Sequence, residues 1–319
     1  MLNHRAPDER RRPAGGWASA GLPAPGPHGG DGAALARALG LAPGDVLDLS
    51  ASLNPVAPDP GPVLAAHLGS IGRYPDPGPA TSALAACLGV PEGRVLLTNG
   101  GAEAIALVAA ELEEGQVDDP DFSLYRRHLV RVGAGAPRWR SNPHSPSGVL
   151  AAPAERAGVW DEAFWPLATG TWTRGDAERG SVTLGSLTKL LACPGLRAGY
   201  VIGPDEDLIT RLAGRQPRWS VNSLACDALP EMLAGVDLPA WSSSVADLRD
   251  RLCQVLAGCG LAPRAAAASW VLVEGPELRA RLARRGILVR DCSSFGMAGT
   301  VRIAVPDREG LRRLAGALG

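Results

Sequence analysis

The sequence predicts an α/β fold, in which a mostly parallel central sheet carries helices on both faces and is followed by a smaller α+β C-terminal domain. Two observations carry that expectation. Strand-like apolar runs alternate with helical patterns up to about Asn222, and beyond it the order changes to long helices followed by clustered strands.

Each element has a local reason. Residues 45–50, 94–98, 159–161, 181–185 and 198–202 are short apolar runs with strand character, and Ala- and Leu-rich stretches at 33–39, 80–88, 102–112 and 208–212 read as helices between and around them. Such alternation favours parallel pairing, with ligands at the carboxyl ends of the strands. The interval 130–159, rich in Pro, Gly and Ser, reads as loop. Beyond it come helices at about 223–234 and 242–256, strands at 269–274, 286–290 and 300–305, and a closing helix. The expected organisation is a mobile tail over 1–27, an N-terminal segment 28–70 that joins the small domain, a large domain 71–222 and a small domain 223–319.

Composition narrows the partners. A chain of 319 residues can bury a sizeable core, and a formal net charge of −1 offers no surface-wide field for nucleic acid or anionic lipid. Small molecules are the expected partners. Six scattered cysteines form no C-x-x-C pair and no cluster with histidine, which fits a reduced, cytoplasmic setting without a zinc site. No apolar stretch has the length of a secretory signal or a membrane span.

One residue stands apart. Of the 32 basic residues all but Lys189 are arginine, and arginine cannot replace lysine where a neutral amine must attack a carbonyl. Lys189 lies in Ser186-Leu-Thr-Lys189, directly after a predicted strand and ahead of Pro194-Gly-Leu-Arg197. Ser186 and Arg197 can both hold a phosphate, although a loop lysine beside a surface arginine would read similarly. Asn99-Gly-Gly101-Ala102-Glu103 joins a strand to a helix, where free amides favour an anion; a simple connection is the alternative. Asp161 ends a strand and can face a ring nitrogen, or merely cap a helix. Phe122, in Asp119-Pro-Asp-Phe122-Ser-Leu-Tyr125, can stack on a ring or fill the core. Arg302 and Arg290 sit on or at the end of apolar strands, which suits a clamp for a doubly anionic substrate, or ordinary ion pairs.

An amine, an anion cradle, a strand-end carboxylate, a flat side chain and a substrate clamp are what a pyridoxal 5′-phosphate site requires. Lys189 would hold the cofactor as a Schiff base. Together these motifs resemble the class I/II aminotransferase family of fold-type I pyridoxal-phosphate enzymes, with the Lys189 segment, Asp161 and the glycine turn in the family's chain order. Within it the likeness is to the threonine-phosphate decarboxylase branch of cobalamin biosynthesis. It rests on His28-Gly-Gly-Asp31, Leu49-Ser-Ala-Ser-Leu-Asn54-Pro55, Asp161-Glu-Ala-Phe164 and Pro217-Arg-Trp219-Ser-Val-Asn222.

The resemblance implies a homodimer in which Tyr74 reaches the neighbouring subunit's cofactor phosphate, Phe122 stacks on the ring and Arg302 holds the α-carboxylate. His28, Asn54 and Arg290 would lie near the substrate. Two departures stand out. Ser145 occupies the place of an asparagine that bonds the cofactor's ring hydroxyl, and Phe164 replaces the commoner tyrosine. The stretches 125–142 and 148–159 are also shorter than the family's. The expected reaction is decarboxylation of L-threonine O-3-phosphate to (R)-1-aminopropan-2-yl phosphate. Transamination of an amino acid or amino-phosphate is the alternative, and a non-catalytic scaffold a third.

Overall fold

The computed structural model describes residues 21–319. Twelve strands occur among them, in chain order β1 (Leu47–Leu49), β2 (Val95–Asn99), β3 (Glu114–Val117), β4 (Arg131–Val132), β5 (Arg138–Ser141), β6 (Val159–Asp161), β7 (Val182–Ser186), β8 (Ala198–Ile202), β9 (Pro263–Ala265), β10 (Trp270–Glu274), β11 (Ile287–Asp291) and β12 (Thr300–Ala304). Seven of them form a sheet in the order β2-β8-β7-β6-β5-β3-β4, parallel throughout except for β8, which runs against both neighbours. The other five form a second sheet, β1-β11-β12-β10-β9, in which only the β1–β11 pair is parallel.

Alternation along the strands puts helices on both faces of the larger sheet. Val95, Leu97, Tyr200 and Ile202 join a core with the helices Gly78–Leu88 and Ser223–Ala234, whereas Leu96 and Val201 face the opposite core, beneath the helix Gly100–Leu112. The smaller sheet buries Val271, Val289 and Ile303 against the helices Leu238–Gly258 and Arg308–Leu318.

Several parts of the chain depart from the sequence reading, among them the strands β3 and β9, which it did not include. The interval 130–159 contains β4 and β5, so the large sheet runs on through it; β5 is short and its charged Arg138 and Arg140 alternate with buried Trp139 and Ser141, a pattern hidden by the surrounding Pro and Gly. The helix expected from 242 begins at Leu238, because a proline is tolerated in a first turn and Asp237 accepts a hydrogen bond from the Ala240 amide. Of the expected tail, residues 1–20 lie outside the described residues, while 21–27 lie against the small sheet: the carbonyls of Pro23, Gly26 and Pro27 accept from Arg279 and Arg290.

Candidate active site

The carboxyl ends of β3, β5, β6 and β7 open on one side of the large sheet, and a cavity of about 190 Å³ lies there. Lys189 enters it from the short helix Leu187–Leu190 that follows β7. Asn54 holds that helix in place from behind: its amide donates to the Lys189 carbonyl at 3.0 Å and its side chain to the Leu190 carbonyl at 2.9 Å. Burial, and then the cations Arg302 and Arg197, lower the Lys189 amine to about 8. A neutral amine is therefore within easy reach at physiological pH.

Asp161, at the end of β6, is the carboxylate of the cavity. Its Oδ2 accepts from the Tyr125 hydroxyl at 2.7 Å and its Oδ1 from the Ala163 amide at 3.0 Å, yet burial raises it to about 6. No cation forms an ion pair with it among the described residues. A buried carboxylate so placed is suited to a cationic N–H on a bound molecule. Phe122 and Phe164 supply aromatic walls, the second edge-on to Trp270 at 4.8 Å between ring centroids.

Opposite Lys189 the walls are made for an anion. Gly100 has φ +75°, and a Cβ there would lie 2.5 Å from the Arg197 guanidinium, so glycine is what lets that side chain pass the helix start. Gly101 and Ala102, in the first turn of the helix Gly100–Leu112, line the cavity beside Ser186 and Arg197, and the free amides of a helix start favour an anion. Among the described residues the Arg197 guanidinium has one hydrogen bond, to the Pro194 carbonyl at 3.3 Å, which leaves donors for a phosphate.

The small sheet contributes the cationic side. Arg290 and Arg302 are register partners across β11 and β12, and both are buried. Arg302 donates to the Ser145 hydroxyl at 3.4 Å and lies 4.6 Å over the Trp270 ring, while its Nε has no partner among the described residues. Burial, reinforced by Arg290, lowers it to about 10. His28 lines the same space, its ring tilted against Phe122 at 5.5 Å, and burial and then Arg290 lower its pKa.

Twelve of the residues singled out in the sequence thus surround one cavity, and three do not. The Glu103 side chain turns away, accepting from the Asn99 amide, Gln216 and Ser220, so the glycine turn contributes Gly101 and Ala102 but not that carboxylate. Asn54 spends its carboxamide on the Leu190 carbonyl and the Val56 amide and supports the lysine helix instead of meeting the cavity. Tyr74 is exposed and stacked on Trp219 at 4.4 Å, outside the cavity. Ser145, in the asparagine's place, directs its hydroxyl to Arg302. Tyr125, Ser141 and Asp121 were not expected. The spacing of Phe122 and Tyr125, three apart in one segment, was the available signal for the first; nothing local signalled the other two.

Comparison with known proteins fits this geometry. The family model described as aminotransferase class I and II matches residues 139–318. The chain belongs to that family. Threonine-phosphate decarboxylase of Salmonella typhimurium is 30% identical over 84% of this chain and 88% of its own length. Histidinol-phosphate aminotransferase of Halobacterium salinarum is 28% identical over 89% of this chain and 93% of its own. Among solved structures, L-threonine-O-3-phosphate decarboxylase from Porphyromonas gingivalis superposes with a TM-score of 0.73 at 22% identity, covering 86% of this chain and 98% of that one. Histidinol-phosphate aminotransferase from Sinorhizobium meliloti, solved with pyridoxal-5′-phosphate, gives 0.77 at 20% identity and covers 93% and 94%.

Members of the class I and II family are pyridoxal-phosphate enzymes, and this chain is an enzyme of that kind. The cavity fits the cofactor on its own terms: a neutralisable amine, a buried carboxylate without a cation, and an arginine beside open helix amides converge on it. Among the described residues no cluster of metal-ligating side chains occurs, and no helix is long and apolar enough to cross a membrane.

Proposed function

We propose that the enzyme decarboxylates L-threonine O-3-phosphate to (R)-1-aminopropan-2-yl phosphate. One observation carries the reading: Arg290 and Arg302, buried and paired in register, form no ion pair among the described residues, so the site is short of two negative charges. A substrate with a carboxylate and a phosphate supplies both. The likeness to the Salmonella decarboxylase supports the choice.

In this reading Lys189 would carry the cofactor, Asp161 would face its ring nitrogen, Phe122 its ring, and Ser186, Arg197 and the amides at Gly101 and Ala102 its phosphate. When bound, pyridoxal phosphate withdraws electrons from the substrate's α-carbon. Arg302 then holds the α-carboxylate, while Arg290 and His28 hold the substrate phosphate. With both ends fixed, Arg302 on one side and Arg290 and His28 on the other would hold the substrate in the single orientation that loss of its carboxylate requires. Carbon dioxide leaves, and the Lys189 amine delivers the proton that replaces it at Cα. Tyr74, exposed beside exposed Trp219, is assigned to a second copy's cofactor phosphate in a homodimer.

Transamination is the second reading, favoured by the likeness to histidinol-phosphate aminotransferases. Incubation with threonine phosphate separates the two. Release of carbon dioxide without an oxo-acid supports decarboxylation, and product formation only with 2-oxoglutarate overturns it in favour of amino transfer.

A further inference from the structure

Asp121 is a buried carboxylate that none of the steps above uses. It lies between β3 and the Phe122 segment, 8% exposed, with no ion pair to a cation among the described residues. Its bonds are all to groups that build the cavity. Oδ1 accepts from the Phe122 amide at 2.7 Å and from the Ser141 hydroxyl, and Oδ2 accepts from the Ser141 amide at 3.1 Å. The Ser141 hydroxyl, having donated to Asp121, accepts from the Ser145 amide at 2.7 Å, and the Ser145 hydroxyl meets Arg302. Ser141 is in addition the register partner of Asp161.

We propose that Asp121 is a positioning residue that, through Ser141, fixes two walls of the cavity in which the cofactor would bind: the Phe122 aromatic face and the Ser145 loop that meets Arg302. The physical reason is directional. A carboxylate that accepts from two consecutive segments at once locks their relative orientation, and a charged acceptor holds its donors more tightly than a neutral one. Ser145 is too short to act as an asparagine would at its position, so the exact setting of its loop matters more in this chain. The cost of an uncompensated buried charge is offset by bonds that would otherwise be absent from the site. Arg140 is the cation that favours its charged form, while the charge of Asp121 in turn opposes ionisation of Asp161, to which Tyr125 donates.

The inference rests on the pyridoxal-phosphate site but not on which reaction occurs there. The test is titration of the full-length protein with pyridoxal 5′-phosphate, read by tryptophan fluorescence for affinity and by the visible circular dichroism of the bound chromophore for ring orientation. Asp121→Asn and Ser141→Ala should each weaken binding about tenfold, the scale of one lost charge-assisted bond, and diminish the dichroic band. Ser141→Thr, which keeps the hydroxyl, should restore both. Leu256→Ala, in the core of the small sheet, serves as a control that lowers Tm without touching these bonds. The inference is overturned if Asp121→Asn and Ser141→Ala bind and orient the chromophore as the wild type does, or lose no more than the control loses. Should Asp121→Asn fail to fold, the contrast between Ser141→Ala and Ser141→Thr decides alone. A wild-type protein that binds no pyridoxal phosphate would remove the site assignment itself.

Discussion

Arg290 and Arg302 stand opposite one another across the β11–β12 pair, two buried guanidinium groups satisfied among the described residues by neutral oxygens alone: Gly26, Pro27 and Ser294 for the first, Ser145 for the second. Like charges in that position destabilise the ligand-free protein and are relieved when an anion arrives. In the proposed function, affinity for an anionic substrate is thus bought with fold stability.

Arg302→Met should therefore act in opposite directions on stability and binding. Without ligand the variant is expected to be more stable than the wild type by about 1–3 kcal/mol, as replacement of buried charge by apolar volume often is. KM for threonine phosphate should rise on the order of 10–100-fold with the loss of a charged hydrogen-bonding partner. Denaturant unfolding and steady-state kinetics on the same preparation check both; a destabilised variant would contradict the account of Arg302 as an unmatched charge.

Lys189→Ala should abolish covalent capture of pyridoxal phosphate. Borohydride reduction of the wild type should leave a stable pyridoxyl mass on the Lys189 peptide, absent from the variant. Turnover should fall by at least about 10²-fold, the low end of what a positioned acid or base contributes.

The pH dependence of that capture follows from the lowered amine. Below about 8 the amine is protonated and unreactive, so the capture rate should rise about tenfold per unit as pH increases, then level off above 8. An ordinary lysine would keep gaining up to roughly pH 10. Arg197→Ala removes one of the cations that lower the amine, and should move the break to higher pH. Stopped-flow absorbance across pH 6–10 measures it.

Gly199→Ala tests the anion cradle without changing any polar group. A Cβ at 199 would lie 2.5 Å from the Gly100 carbonyl carbon and 2.6 Å from the Gly101 nitrogen, forcing β8 away from the helix start. A loss of about 1–3 kcal/mol in stability is expected from the overpacking, together with weaker binding of pyridoxal phosphate. Unchanged cofactor affinity in a destabilised variant would argue against those amides as phosphate donors.

Much of the site was legible from the chain because its groups follow strands. Lys189 after β7, Asp161 at the end of β6 and the glycines after β2 announce themselves by local pattern, and parallel pairing brings such strand ends to one side of the sheet. Glu103 and Asn54 lie outside the cavity lining for the converse reason: both sit inside cavity-forming motifs, but the direction of each side chain is set by Ser220 and Leu190, distant in the sequence.

Residue identity and order alone determined the chemistry available to this protein: a single amine, a strand-end acid, an anion-binding turn and two arginines on apolar strands. Which groups meet was decided only by tertiary structure. Tyr125 reaches Asp161, Asp121 reaches Ser141, and Arg302 has no acid partner among the described residues because strand register and the packing of two sheets fix those separations, and hydrogen bonds form only where donor and acceptor are brought within about 3 Å.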